Sequence, residues 1–281
     1  MKRLRPARPE LEDIAAYDAK DVRAEVRLSA NENPHNLPGE ILDKLAERVR
    51  RDIDFNRYPD PLCTHLRTLI AEANGLEPTN VLVGNGGDEL ILDLVLAWGG
   101  PGRTLVDLPP TFSMYGIDAR MTGTDVIEVP RLADFSVDAE ALMRVVAERD
   151  PDVIVISNPN NPTGTMVPET VMIDLLNATD ALVLVDEAYF EFSRQTMRPH
   201  MERHPNLVIL RTFSKAFSLA GLRAGYLLAH EDVVRELTKV RQPYSVNRFT
   251  QVAAALAFRE RVVFEAGIRE TDVRGWYRKG R

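Results

Sequence analysis

Two patterns of apolar residues alternate along this chain, and the alternation predicts its fold class. Across 38–51, Ile41, Leu42, Leu45 and Val49 recur at helical spacing, and Leu62, Leu66, Leu69 and Ile70 do so again after the break at YPDP (58–61). Both stretches are predicted to be amphipathic helices. Beyond them come short β-prone runs that are apolar at nearly every position: VLVG (81–84), TLVDL (104–108), DVIEV (125–129), DVIVIS (152–157), ALVLVD (181–186), NLVIL (206–210) and AGYLLA (224–229). Strands that are apolar on both sides need cover on both faces. The prediction is therefore an α/β fold, with a mostly parallel central sheet and helices on both faces. Ligands of such sheets bind beyond the carboxyl ends of the strands, so chemistry is expected in the polar residues directly after these runs. Residues 1–36, rich in Pro, charge and Asn without a sustained period, read as an N-terminal arm.

Composition narrows the classes. At 281 residues the chain can bury one large domain, read as 37–235, and the start of a second, read as 236–281. A net charge of -7 gives no sequence-wide basic field for nucleic acid, and Arg48, Arg50 and Arg51 read as a solvated helix face. Cys63 is the only cysteine, which excludes an intrachain disulfide and a cysteine-built metal site and fits a reducing, cytoplasmic setting. Pro6, Pro9, Glu10, Glu12 and Asp13 stand where a secretion signal would need an apolar stretch. The apolar run from Leu90 to Trp98 is broken by Asp93 and is too short to span a bilayer, so no membrane association is expected.

Of the six lysines, Lys2, Lys20, Lys44, Lys239 and Lys279 lie in charged or helical surroundings. Lys215 instead follows NLVIL among small hydroxyl residues in RTFSKAFSLAGLRAGY (211–226). An amine free of strong carboxylate pairing and near a cation has the lowered pKa that Schiff-base formation needs, although alone it reads more simply as a solvated lysine. Thr212, Ser214 and Arg223 add two hydroxyls and a guanidinium, a set suited to a phosphate monoester. Upstream, GNGGDE (84–89) follows a strand and opens a helical run, so its N–H groups can also receive an anion. Glu89 stands where GxGxxG needs its third glycine, and no Lys-Ser/Thr pair follows, which argues against a dinucleotide or P-loop site. Asp186 closes ALVLVD and is suited either to hold a protonated pyridine nitrogen or to cap a helix. Asn161 in NPNNPTG (158–164) is suited to donate to a phenolic oxygen, or belongs to a plain proline turn.

Taken in order, NENP (31–34), YPDP (58–61), GNGGDE (84–89), PTFSMY (110–115), NPNNPTG (158–164), DEAY (186–189) and TFSKAFSLAGLRAG (212–225) resemble the fold-type I PLP-dependent aminotransferases, most of all the histidinol-phosphate aminotransferases. The resemblance implies the PLP-dependent transferase fold of type I, pyridoxal 5′-phosphate (PLP) as cofactor, and histidinol phosphate and 2-oxoglutarate as amino donor and 2-oxo acid. It implies Lys215 as the Schiff-base lysine and proton shuttle, Asp186 on the pyridine nitrogen, Asn161 and Tyr189 on the phenolic oxygen, and Tyr115 stacked on the ring. Gly87, Asp88, Thr212, Ser214 and Arg223 would surround the phosphate. Tyr58 would reach the phosphate of the neighbouring subunit's cofactor in a homodimer. Both Tyr115 and Tyr189 read otherwise as core residues.

The family continues for roughly another domain's worth of chain. Here the tail RETDVRGWYRKGR (269–281) has no clear amphipathic period and does not resemble the family, so an incomplete small domain is expected. The family's substrate-carboxylate arginine then has no counterpart. Alternative readings are an aromatic amino-acid aminotransferase, a phosphothreonine decarboxylase of related fold and, in a different class, a catalytically impaired PLP-binding remnant.

Overall fold

The structure, a computed structural model, describes residues 29–273 and the isolated positions 5, 7, 8, 11, 14 and 25. Most of the expected N-terminal arm, Lys2, Lys20 and Lys279, and the tail beyond 273 lie outside the described residues. In chain order the helices and strands are α1 (Gly39–Asp52), α2 (Thr64–Asn74), β1 (Val81–Gly84), α3 (Gly87–Trp98), β2 (Thr104–Asp107), α4 (Met114–Thr122), β3 (Asp125–Glu128), α5 (Ala139–Arg149), β4 (Val153–Ser157), α6 (Glu169–Ala178), β5 (Leu182–Asp186), α7 (Phe190–Ser193), β6 (Leu207–Thr212), β7 (Gly225–Leu228), α8 (Glu231–Val240), α9 (Arg248–Arg259) and α10 (Glu265–Val273). Each apolar run read as a strand forms one.

The strands make one sheet in the order β1-β7-β6-β5-β4-β2-β3. Only β7 runs against its neighbours; the pairs β2–β3, β2–β4, β4–β5 and β5–β6 are parallel. One edge of the sheet therefore collects the carboxyl ends of six strands and the amino end of β7. Period-two alternation divides each central strand between two cores. On β5, Val183 and Val185 join a cluster with Leu66 and Ile70 of α2, Leu142 of α5, Leu175 of α6 and Phe258 of α9. Leu182 and Leu184 join the opposite cluster, with Leu90 and Leu94 of α3, Tyr115 of α4 and Leu237 of α8. Burying each such aliphatic side chain contributes about 1.5–3 kcal/mol, so the two cores hold the edge above them rigid.

The division expected after residue 235 falls inside α8. Phe258, Phe264 and Ile268, from α9 onward, lie in the same cluster as the sheet residues Val83 and Ile154.

Candidate active site

A cavity of about 600 Å³ opens at the edge where the strands end, lined by residues that include Gly87, Asp88, Phe112, Asn161, Asp186, Tyr189, Thr212, Ser214, Lys215 and Arg223. Asp186 reaches it because β5 ends there. Its side chain is buried, with Oδ1 accepting the Ala188 N–H at 2.9 Å and Oδ2 accepting the Tyr115 hydroxyl at 2.6 Å. Burial pushes its carboxyl up to about 6, against those two donors. Asp186 thus receives a local N–H as a capping residue does, yet it also lines the cavity.

Lys215 stands in the loop after β6, where its amine donates to the carbonyls of Ala30 and Asn31 at 3.0 and 3.2 Å. Asn33 Nδ2 donates in turn to the Lys215 carbonyl at 3.0 Å. Burial lowers the amine's pKa and Arg223 adds to this, while Asp186 and Asp88 oppose. The main chain at Ala30 and Asn31 therefore holds the amine, with no carboxylate in ion-pair contact among the described residues, as a nucleophilic lysine requires. Asn31 Nδ2 also donates to Tyr189 Oη at 3.0 Å and to Asn161 Oδ1 at 3.3 Å, drawing both polar groups to one side of the cavity. Burial raises the Tyr189 phenol to about 12, so it remains a neutral hydroxyl at physiological pH.

At the opposite end is a cradle for an anion. Gly86, at φ 88, gives α3 no side-chain cap, which leaves first-turn N–H groups of Gly87 and Asp88 facing the cavity. Arg223 Nη1 lies 3.5 Å from Ser214 Oγ, and its Nη2 pairs with Asp88 Oδ2 at 2.6 Å, so a carboxylate already sits on the guanidinium where a phosphate would compete. The approach is close: a Cβ on Gly86 would lie 2.5 Å from Arg223 Nη2, and one on Gly225 would lie 2.9 Å from the backbone of Gly86 and Gly87. An amine, a buried carboxylate, two polar groups beside them and a separate anion cradle fit the aldehyde, ring nitrogen, phenolic oxygen and phosphate of PLP.

Two of the expected aromatic residues stand apart from the polar set. Tyr115, expected to stack on the cofactor ring, is among the residues lining the cavity, but α4 leaves it 0% exposed and its hydroxyl donates to Asp186 Oδ2. The half-buried aromatic ring of PTFSMY that lines the cavity is Phe112, edge-on to Tyr115 at 5.5 Å. Tyr58 does not line the cavity; it is 82% exposed and stacked on Tyr244 at 4.8 Å. Sequence reading also missed Asn31 and the buried pair Arg211–Glu187. That pair meets at 2.9 Å and ties the ends of β5 and β6 together. The position of Glu187 and Arg211, each adjoining a predicted site residue, was the only signal for it.

The family model for aminotransferase class I and II matches residues 23–263. Histidinol-phosphate aminotransferase 1 of Carboxydothermus hydrogenoformans is 44% identical over 257 residues, which cover 92% of this chain and 73% of that protein. Among solved structures, the histidinol-phosphate aminotransferase from Sinorhizobium meliloti in complex with pyridoxal-5′-phosphate is similar at TM-score 0.79 and 26% identity, over 85% of this chain and 66% of that one. L-threonine-O-3-phosphate decarboxylase from Porphyromonas gingivalis is similar at TM-score 0.69 and 28% identity, over 81% of this chain and 72% of that one. This chain belongs to the class I and II aminotransferases, and is with them a PLP-dependent enzyme.

Proposed function

We propose that this chain transfers the amino group of histidinol phosphate to 2-oxoglutarate, with Lys215 as the residue that binds the cofactor covalently and moves the proton. The observation that carries the reading is the convergence of the Lys215 amine, the buried Asp186 and the Gly87–Arg223 cradle in one cavity. The similarity to histidinol-phosphate aminotransferases supports the substrate. When bound, PLP supplies an electron sink for the pair left on the substrate α-carbon. Asp186 would hold the proton on the ring nitrogen, and Asn161 and Tyr189 would hydrogen-bond the phenolic oxygen. The N–H groups of Gly87 and Asp88, the hydroxyls of Thr212 and Ser214 and the guanidinium of Arg223 would bind the phosphate. The Lys215 amine, whose neutral form burial favours, would take the proton from the substrate α-carbon and deliver it to the carbon of the cofactor's aldehyde group, on the other side of the transferred nitrogen.

The large unit at 37–235 would carry this machinery, with a smaller unit beginning after it. A homodimer is part of the reading, because Tyr58 and Tyr244 present a stacked aromatic pair away from their own cavity. A cytoplasmic setting is supported by the single, buried Cys63, and no described helix is long and apolar enough to cross a membrane. Product analysis tests the function: histidinol phosphate and 2-oxoglutarate should yield the corresponding oxo compound and glutamate. With L-threonine O-3-phosphate offered instead, carbon dioxide release without an oxo product would favour decarboxylation, and preference for aromatic amino acids as donors would move the substrate.

A further inference from the structure

We propose that Tyr115 is a positioning residue for Asp186: the phenol, donating to Oδ2 at 2.6 Å, orients the carboxylate and holds its charge for the cofactor's ring nitrogen. The inference rests on the reading of Asp186 as the partner of that nitrogen, and adds to it a residue that acts through the carboxylate.

The Tyr115 phenol meets Asp186 and also the Ser157 hydroxyl. Tyr115 is fully buried, its ring is packed in the cluster of Leu90, Leu94 and Leu105 and against the edge of Phe112, and its hydroxyl meets a carboxylate oxygen. A phenol beside a carboxylate must donate, and Oδ2 must then be free of a proton. Because Ala188 N–H donates to Oδ1, both oxygens receive a donor, the arrangement that favours the ionised form. Other groups act on the carboxylate too. Asp88 from α3 and the adjoining Glu187 repel it, as burial does, while the Lys215 amine attracts it; Tyr189 faces it from the following loop, and Asp107 of β2 faces the Tyr115 phenol. The two donors are thus the local counterweight to burial. Without the Tyr115 hydroxyl, a proton shared between Asp186 and a pyridine nitrogen should shift toward the carboxylate. The ring then carries less positive charge and withdraws electrons less well.

Tyr115→Phe removes the hydroxyl and keeps the ring. In the apoprotein, carboxyl-13C NMR should show Asp186 titrating about one pH unit higher, or more, in the variant, as loss of a charge-assisted donor requires. With 15N-labelled PLP bound, the pyridine resonance should move toward the neutral-pyridine position. Turnover should fall about tenfold with KM within about twofold, since the contact matters to the proton-transfer step rather than to substrate binding. A merely structural tyrosine would leave the 15N resonance in place. Incorporating 3-fluorotyrosine at 115, a stronger donor of nearly the same shape, should move that resonance the other way, and it carries the test if the phenylalanine variant does not fold. An unchanged 15N resonance in the substituted proteins overturns the proposal. The apoprotein titration separates the two readings: a shifted Asp186 in a protein that takes up no PLP removes the cofactor reading and the positioning role with it. An unshifted Asp186 in a protein that binds PLP normally removes the role of Tyr115 alone.

Discussion

Two main-chain carbonyls receive the Lys215 amine, and burial lowers its pKa against the attraction of Asp186 and Asp88. Lys215→Ala should abolish turnover in a coupled glutamate assay while leaving the fold intact by circular dichroism. In the apoprotein the Lys215 amine should titrate below the ordinary lysine value of 10.5, as NMR of the labelled side chain would show. Asp186→Asn keeps the shape and removes the charge, so single-turnover proton abstraction should slow by more than cofactor affinity falls. Arg211 presents a different kind of dependence. Its guanidinium pairs with Glu187 where both side chains are almost wholly enclosed, lies over the Phe190 ring at 3.7 Å and donates to Thr196 and Asn74. Arg211→Met strands a buried carboxylate and should cost about 3–5 kcal/mol in denaturant unfolding, whereas removing both charges together should cost less. Equal losses in the single and double variants would contradict that account.

At the scale of elements, the site depends on β1, β7 and the start of α3 approaching within backbone contact. Gly84 pairs with Gly225, and a Cβ on Gly225 would press on Gly86 and Gly87. Gly225→Ala should therefore push the amino end of α3 away from Arg223 and weaken PLP binding about tenfold or more, measured by fluorescence titration, with little change in helix content. The seven strands were legible because the inner ones are buried on both faces and are apolar at every position, as Val153–Ile156 and Leu182–Val185 are. Their spatial order and the reversal of β7 were not, because crossovers set them and no local pattern records them. Strand ends pointed to Asp186, Asn161 and Lys215, which line one cavity. Phe112 and Tyr115 could not be told apart for a reason of register: they are three residues apart, and only the onset of α4 at Met114 decides how far each ring turns inward. Asn31 was hidden because NENP acts by its fold over the Lys215 amine, a contact 184 residues away in sequence.

The whole molecule carries buried carboxylates with unpartnered oxygens, and their protons should show in its stability. Burial raises Asp93 and Asp118 to about 7, and each has an oxygen without a hydrogen-bond partner. A folded-state pKa above the unfolded one means that the folded state binds more protons, so this stabilisation is full below pH about 4 and is lost as pH rises through 7. His65, lowered by burial, works in the opposite direction below 6.5. The apoprotein should therefore melt several degrees higher at pH about 5.5 than at pH about 8, and Asp93→Asn with Asp118→Asn should reduce that dependence, leaving the part due to Asp107, Asp186 and Glu191, which burial also raises. A pH-independent melting temperature would show that these groups ionise freely. The central claim, that Lys215 holds PLP in a site built at the strand ends, is tested most directly by reducing the PLP-loaded protein with borohydride and mapping the modified peptide. The account predicts a single pyridoxyl group on Lys215, lost in Lys215→Ala; no stable label, or a label on another lysine in the wild-type protein, would contradict it.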